Sequence, residues 1–538
     1  MPADASYQAI DARPAASASR LAGWTVFLSI LVFGPIFIFQ YPGLQDYPNH
    51  IARAFILLHR SDPILERLYS VQWTMLPNLG WDIWAVTAGQ ILSLEYAGKI
   101  FLMLGSASIL LGCFVLNRVL QERWTFAPLL VVPFLFNIGF AKGFLSFNLG
   151  VGCALLAIAS WISIGEKRWP LRLVVATLFS TLLYVIHFYG WAFYGIFVLG
   201  LELQAFWRSK APKSAWLFVA RLGRDGLQAV PALTMMGYAV ASTHLPFTVK
   251  KFQPPYIRIG EIVNLIDVGN YVANFFFVTG MALLIFILLR RKWLRFRFDA
   301  ALPLLFCLLL FFVLPNQIAG TDLVGWRILL PALAVGIASL APSKEADSRV
   351  DHVMSRVTLA TVAIVGIQVW SWHNSEIGRE NFLRLITNVP DGSALFIVHN
   401  GITENQLMRR SSGLYHVGAY AVLAKRALVQ SMFVFPGQQP LRFRDPMLQS
   451  MPGNSFTFLR DVVKEFKKVG YDISSYVARF DYVVVHGPSD GEKLGVLSAE
   501  NLTLVNRVDD FWLYQVRRTQ AVGTFGASGN PADHAPAE

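Results

Sequence analysis

Cysteine is scarce in this chain. The three present, Cys113, Cys153 and Cys307, each lie inside an apolar run, where a small side chain packs and has no partner at disulfide or metal-ligand spacing. Charge is scarce as well: 15% of residues are charged and 54% are hydrophobic, too little polar surface for a water-soluble fold of this size. A glycine-rich phosphate loop ending in Lys-Ser/Thr, an H-E-x-x-H helix and a nucleophile elbow are all missing from the sequence, which argues against nucleotide-driven and zinc-protease or α/β-hydrolase chemistry. Internal repeats are missing too, although transporters are often built from paired repeats with interrupted helices.

What the chain has in quantity is long apolar runs. They begin near Leu21, Gly98, Thr125, Phe144, Pro170, Phe188, Leu227, Tyr271, Ala300, Gly325 and Met354, and each can cross a hydrocarbon core of about 30 Å. The expected fold class is therefore a polytopic α-helical membrane protein with about eleven transmembrane helices. The formal net charge of +12 would suggest nucleic acid in a soluble protein. Here Lys and Arg gather in short loops between apolar runs, where they set orientation, so no nucleic-acid partner is expected.

A further apolar stretch, Trp81 to Tyr96, is interrupted by Asp82, Thr87, Gln90 and Glu95 and could cross the membrane or lie along it. If it lies along the surface, Arg118 with Arg123, Lys167 with Arg168 and Arg172, the block from Arg208 to Arg224, the cluster Arg290 to Arg297, and Lys344 with Arg349 all share one side. That side is the cytoplasm by the positive-inside rule. The segment is accordingly expected to be a juxtamembrane helix in a first outer loop, residues 42–97, of a transmembrane domain covering 21–372. Residues 1–20, rich in Ala, Ser, Asp and Pro, and the tail 521–538 are expected to be disordered, the former in the cytoplasm. The run from Leu21 is too long for a signal-peptide core and lacks a small-residue cleavage site, so it is expected to remain as the first span.

After Trp372 the pattern changes. Short β-type runs at Leu395 to Val398, Leu428 to Phe435, Tyr482 to Val485, Leu502 to Val505 and Phe511 to Val516 alternate with helix-like segments such as Ser455 to Val469, which predicts a C-terminal α/β domain over 373–520. An odd number of spans places it outside the cytoplasm, in the periplasm of a bacterial inner membrane.

The run Leu44-Gln-Asp-Tyr-Pro-Asn-His-Ile-Ala-Arg53 holds an acid, an imidazole and a guanidinium beside the bilayer. Ionisable groups near hydrocarbon are costly unless they pair, face water or act on a substrate. Asp46 precedes Pro48 and so reads either as a helix cap or as a general base that takes a proton from an attacking hydroxyl. His50 and Arg53 follow on the same helix, as interfacial anchors, as partners of Asp46, or as contacts to an anionic headgroup or phosphate. Other polar groups fall on the same outer side: Lys142, His187, Tyr189, Lys250, Lys251, Arg258, Asp322 and Arg327. Arg327 enters an apolar segment, where a guanidinium needs an anion, with Asp322 as the local partner or a phosphate as the functional one.

An acid in the first outer loop, juxtamembrane helices behind it, many spans and a terminal α/β domain together resemble the GT-C glycosyltransferases, which include the aminoarabinose transferases of lipid A and the protein O-mannosyltransferases. The resemblance implies a polyprenyl-phosphate-linked sugar donor, transfer with inversion to a glycan, lipid or protein acceptor, and a catalytic acid at the position of Asp46. It also implies a lipid phosphate held by outer-loop cations, which by position are Lys250, Lys251, Arg258 or Arg327. Tyr47 stands where the family has a second acid, so no cofactor is expected and a divalent metal has no support in these residues. The competing expectations are a transporter or flippase of lipid-linked saccharides, which would show repeats, and an O-antigen polymerase or ligase, which would carry its large outer loop between late spans.

Overall fold

The computed structural model describes residues 18–209, 214–243, 249–250, 252–297, 300–318, 321–435, 437–451, 456–488 and 501–517. Most of the N-terminal segment and the whole tail 521–538 lie outside the described residues, as does Lys251. Among the described residues six helices are long and apolar enough to cross a membrane: Ala18–Ile38, Leu94–Gln121, Leu145–Ile164, Glu166–Ile186, Tyr271–Arg290 and Val350–Leu385. The chain is a multi-pass membrane protein. Other expected runs are shorter helices, such as Val230–Thr243, Ala301–Val313 and Trp326–Ala338, or the 21-residue helix Phe188–Arg208.

The run beginning at Thr125 takes a different form. Pro128 and Pro133 each remove a backbone donor, and the segment winds as a 3-10 helix over Ala127–Leu135 in which every residue is buried. It starts beside the end of the Leu94–Gln121 helix, where Thr125 donates its hydroxyl to Asn117 Oδ1 at 2.8 Å. A short helix, Ile138–Ala141, then carries the chain to Lys142, whose Nζ donates to Gln45 Oε1 at 3.0 Å, next to Tyr47 and the first turn of the Leu94–Gln121 helix at Gly98. Irregular backbone thus runs the length of the bundle wrapped in protein, the circumstance in which lipid depth tolerates it.

The Trp81 to Tyr96 stretch is not one helix. Gly80–Ala88 forms a nine-residue helix with a rise of about 14 Å, under half a hydrocarbon core. The next helix starts at Leu94 with the Ser93 side chain accepting from Tyr96 N–H. Trp81, Asp82 and Ala85 are buried while Ile83 and Thr87 are exposed, so this short helix packs one face on protein and leaves the other open.

The last long helix, Val350–Leu385, has 36 residues and passes the expected boundary at 372/373 without a break. Beyond it, a five-stranded mixed sheet has the order 502–508, 511–516, 482–486, 394–399, 428–429. The 394–399 strand is parallel to both of its neighbours and all six of its residues are buried, as expected for a strand covered on both faces. Part of the first loop belongs to this lobe. Tyr69–Val71 pairs antiparallel with Leu441–Phe443, and Ala52, Ile56, Leu65 and Leu68 share the lobe's apolar core.

Two histidines close that core. His399 Nε2 lies 3.0 Å from the Tyr415 carbonyl and its Nδ1 lies 2.9 Å from His486 Nδ1. The carbonyl can only accept, so His399 carries its proton on Nε2 and His486 donates from Nδ1. Burial pushes the His399 imidazole down to about 4 and holds His486 well below the usual histidine range, with its neighbour His399 adding to the effect.

Two measurements follow from this architecture. Because both imidazoles are depressed in the folded lobe, their stabilisation is complete above about pH 6.5 and is lost as pH falls from there to about 4. The melting temperature of the lobe should drop across that window; a flat profile would contradict the neutral pair. Second, Lys467 is exposed at the end of the Leu459–Lys468 helix, and Lys467→Cys should react with a membrane-impermeant thiol reagent in intact spheroplasts. Protection there until the membrane is opened would overturn the outward placement of the lobe.

Candidate functional site

Asp46 is set by its backbone. Gln45 N–H donates to Ala141 O at 3.1 Å and Asp46 N–H donates to Lys142 O at 2.9 Å, which ties the first loop to the end of the irregular crossing. Gly143 makes this possible: its φ is +78°, and a Cβ there would lie 3.2 Å from Tyr47 N. Asp46 then takes the N-cap position of the Tyr47–Leu58 helix, yet its side chain makes no capping hydrogen bond. The carboxylate is free for other work, which weighs against the cap as its whole purpose.

The terminal lobe reaches the same point. Gly43 and Gly413 touch backbone to backbone, where a Cβ on Gly413 would sit 2.7 Å from Gly43 Cα, and Ser412 Oγ donates to the Gly43 carbonyl at 2.6 Å. That contact delivers His416, whose Nε2 lies 3.5 Å from Asp46 Oδ1. The His416 ring packs edge-on to Tyr415 and Phe433.

On the bundle side stands Arg327, in the first turn of Trp326–Ala338 and 6% exposed. Its guanidinium carbon lies 4.2 Å from the Phe144 ring centre, 5.1 Å from Tyr189 and 5.4 Å from Phe147, a cation held over aromatic faces. Its Nε donates to the backbone carbonyl of Asp322 at 3.2 Å, and the carboxylates of Asp322 and Asp46 both act on it electrostatically. Phe144 is the residue after Gly143, so the turn that positions Asp46 also supplies a wall of the Arg327 frame.

The other sequence candidates separate into two groups. Lys142, His187 and Tyr189 join the site: Lys142 through Gln45, and His187 by accepting from Tyr189 N–H at 3.2 Å and packing edge-on to Phe147. His50 lies one turn beyond Asp46, and burial, with Arg53 and His416 nearby, holds its imidazole well below the usual range and so neutral. Arg53 and Arg258 are instead engaged elsewhere. Arg53 is 2% exposed and donates to both oxygens of Asp82, at 2.6 and 3.3 Å; its partner is Asp82 and not Asp46. Arg258, fully buried, pairs with Glu261 at 3.0 Å and also donates to the Leu314 carbonyl and Asn316. Lys250 lies in a short strand paired with Gln317–Ile318, and Asp322 pairs with Gln317 in the same small sheet.

His416, Tyr415, Phe433 and Asp82 were not singled out by the sequence. The first three come from a lobe that nothing in the local pattern connects to Asp46, and Asp82 read only as an interruption of an apolar run. At the opposite end of the bundle Glu166, Glu202 and Asp225 have carboxylate oxygens within 4.8 Å of one another. Arg172, Arg221 and Arg224 bridge them at 2.5 to 3.1 Å, so arginine already supplies the positive charge a metal would bring.

No protein-family profile matches this sequence, and no curated protein matches it. Among solved structures, ArnT from Cupriavidus metallidurans in the apo state superposes over 92% of this chain and 98% of its own, with a TM-score of 0.51 and 11% identity. The chain shares the overall fold of that structure. The arabinofuranosyltransferase AftD from Mycobacteria superposes over 95% of this chain and 41% of its own at a TM-score of 0.43 and 12% identity, too loose a likeness to bear on the site. In this fold the first-loop acid and the framed arginine lie at one end of the bundle, under the terminal lobe.

Removing one partner of the buried Arg53–Asp82 pair leaves an uncompensated charge, which costs about 3–5 kcal/mol. Asp82→Ala should therefore lower the melting temperature clearly, and adding Arg53→Met to it should recover most of the loss. Equal destabilisation by the single and double variants would show that the pair is not the constraint.

Proposed function

We propose that the protein is a membrane glycosyltransferase that moves a sugar from a polyprenyl-phosphate donor to a lipid, polysaccharide or protein acceptor at the outer face of the membrane. The observation that carries this is the placing of Asp46, a carboxylate that makes no capping bond, within electrostatic range of a buried guanidinium in an aromatic frame, Arg327, at one end of a GT-C-type fold. A donor of this kind keeps its prenyl chain in lipid while its sugar reaches water, so its phosphate and anomeric carbon lie at such a boundary.

The chemistry follows from charge. Asp46 accepts the proton of the acceptor hydroxyl as that oxygen bonds to the anomeric carbon. The bond from that carbon to the phosphate oxygen breaks on the opposite face, which inverts the anomeric centre, and the polyprenyl phosphate leaves with the electron pair. Negative charge grows on the departing phosphate, and Arg327 is the cation suited to it, since a planar guanidinium matches a phosphate and loses little hydration. Tyr189, His187 and Lys142 line the approach. Arg53 and Arg258 have carboxylates of their own and act by holding the loop and the bundle in place.

Asp46→Asn should abolish sugar transfer in reconstituted membranes, a loss of about 10²-fold or more, while the protein folds and binds donor. Wild-type turnover by that variant would remove Asp46 as the base. Arg327→Gln should raise the donor KM and lower kcat together; unchanged kinetics would remove it from the phosphate site.

A further inference from the structure

We propose that His416, from the terminal lobe, is the positioning residue for Asp46, so that the reaction centre is incomplete without the lobe. This rests on Asp46 acting as the base. Three observations carry it. His416 is 3% exposed and its Nε2 points at Asp46 Oδ1 across 3.5 Å, a separation of the kind that tightens when substrate binds. Its Nδ1 is buried with no hydrogen-bond partner among the described residues. And the ring packs edge-on against both Tyr415 and Phe433, with Tyr415 itself fixed through its carbonyl by His399.

The tautomer follows from the surroundings. A buried N–H without an acceptor costs more than a buried lone pair without a donor, so the proton sits on Nε2 and faces the carboxylate. A donor on that side holds one carboxylate oxygen of Asp46 and leaves the other to receive the proton of the acceptor hydroxyl. The arrangement uses an imidazole to orient an acid, with no proton passing to the histidine. The charged and titratable groups that act on the pair electrostatically are His50 on the helix of Asp46, Arg327 from the bundle, and Tyr415 and His399 from the lobe.

The test compares His416→Ala and His416→Gln with the unaltered full-length protein in nanodiscs, using a polyprenyl-phosphate sugar as donor. His416→Ala should lower kcat by about tenfold or more with donor KM within about twofold. His416→Gln, whose amide can still donate, should recover part of kcat. Unchanged kcat in His416→Ala, or an equal loss in His416→Gln, would overturn the proposal. Should His416→Ala fail to fold, His416→Gln and His416→Asn decide it: a graded loss of kcat at unchanged donor KM supports the role, and wild-type kcat in both refutes it. Asp46→Asn separates the two claims, because activity in that variant removes the base itself, whereas a dead Asp46→Asn beside an indifferent His416→Ala removes only the histidine.

Discussion

Everything near the candidate centre depends on how the first loop is pinned between two bodies. Two backbone hydrogen bonds, from Gln45 and Asp46 to the carbonyls of Ala141 and Lys142, fasten it to the bundle. The Gly43–Gly413 contact and the Ser412 hydroxyl fasten it to the terminal lobe. Neither attachment tolerates a side chain: Gly43, Gly143 and Gly413 each lack the Cβ that would hold the surfaces apart. Since a displacement of about 1 Å at a reacting group can cost about 10²-fold in rate, this backbone geometry, more than any single polar contact, defines where Asp46 can act.

The treatment of buried charge separates scaffold from site. Arg53 meets Asp82, Arg258 meets Glu261, and Arg172 meets Glu166 and Glu202. Each is the paired arrangement that a low-dielectric interior demands. Arg327 is held differently: by aromatic faces, by one backbone carbonyl, and by carboxylates that act on it at longer range. A cation with that environment is prepared for an anion that comes and goes. Asp46 is its counterpart, a helix N-cap that does no capping.

Sequence carried much of the architecture, because apolar length and β-type alternation are local signals. The runs at Leu21, Gly98, Phe144, Pro170, Tyr271 and Met354 correspond to the six long apolar helices. The run at Thr125 is a 3-10 segment because two prolines deny it a regular ladder, a choice that hydropathy alone does not register. The Trp81 to Tyr96 stretch breaks in two because Ser93 starts a new helix. The site was legible only on one side. Asp46 and Arg327 stood out as charge beside hydrocarbon, whereas His416 is an ordinary histidine in a lobe far along the chain until Gly413 meets Gly43. The partners of Arg53 and Arg258 were equally hidden, since Asp82 and Glu261 declare their role only once the chain has packed.

The work proposed for this centre is to break a sugar–phosphate bond and make a glycosidic one. It is measured by following both products in nanodiscs containing the purified protein, a polyprenyl-phosphate sugar and envelope acceptors: release of polyprenyl phosphate, and the anomeric configuration of the new linkage. One polyprenyl phosphate should be freed for each sugar transferred, with the configuration inverted. Transbilayer movement of an intact lipid-linked saccharide, with no phosphate released and no linkage formed, would contradict it.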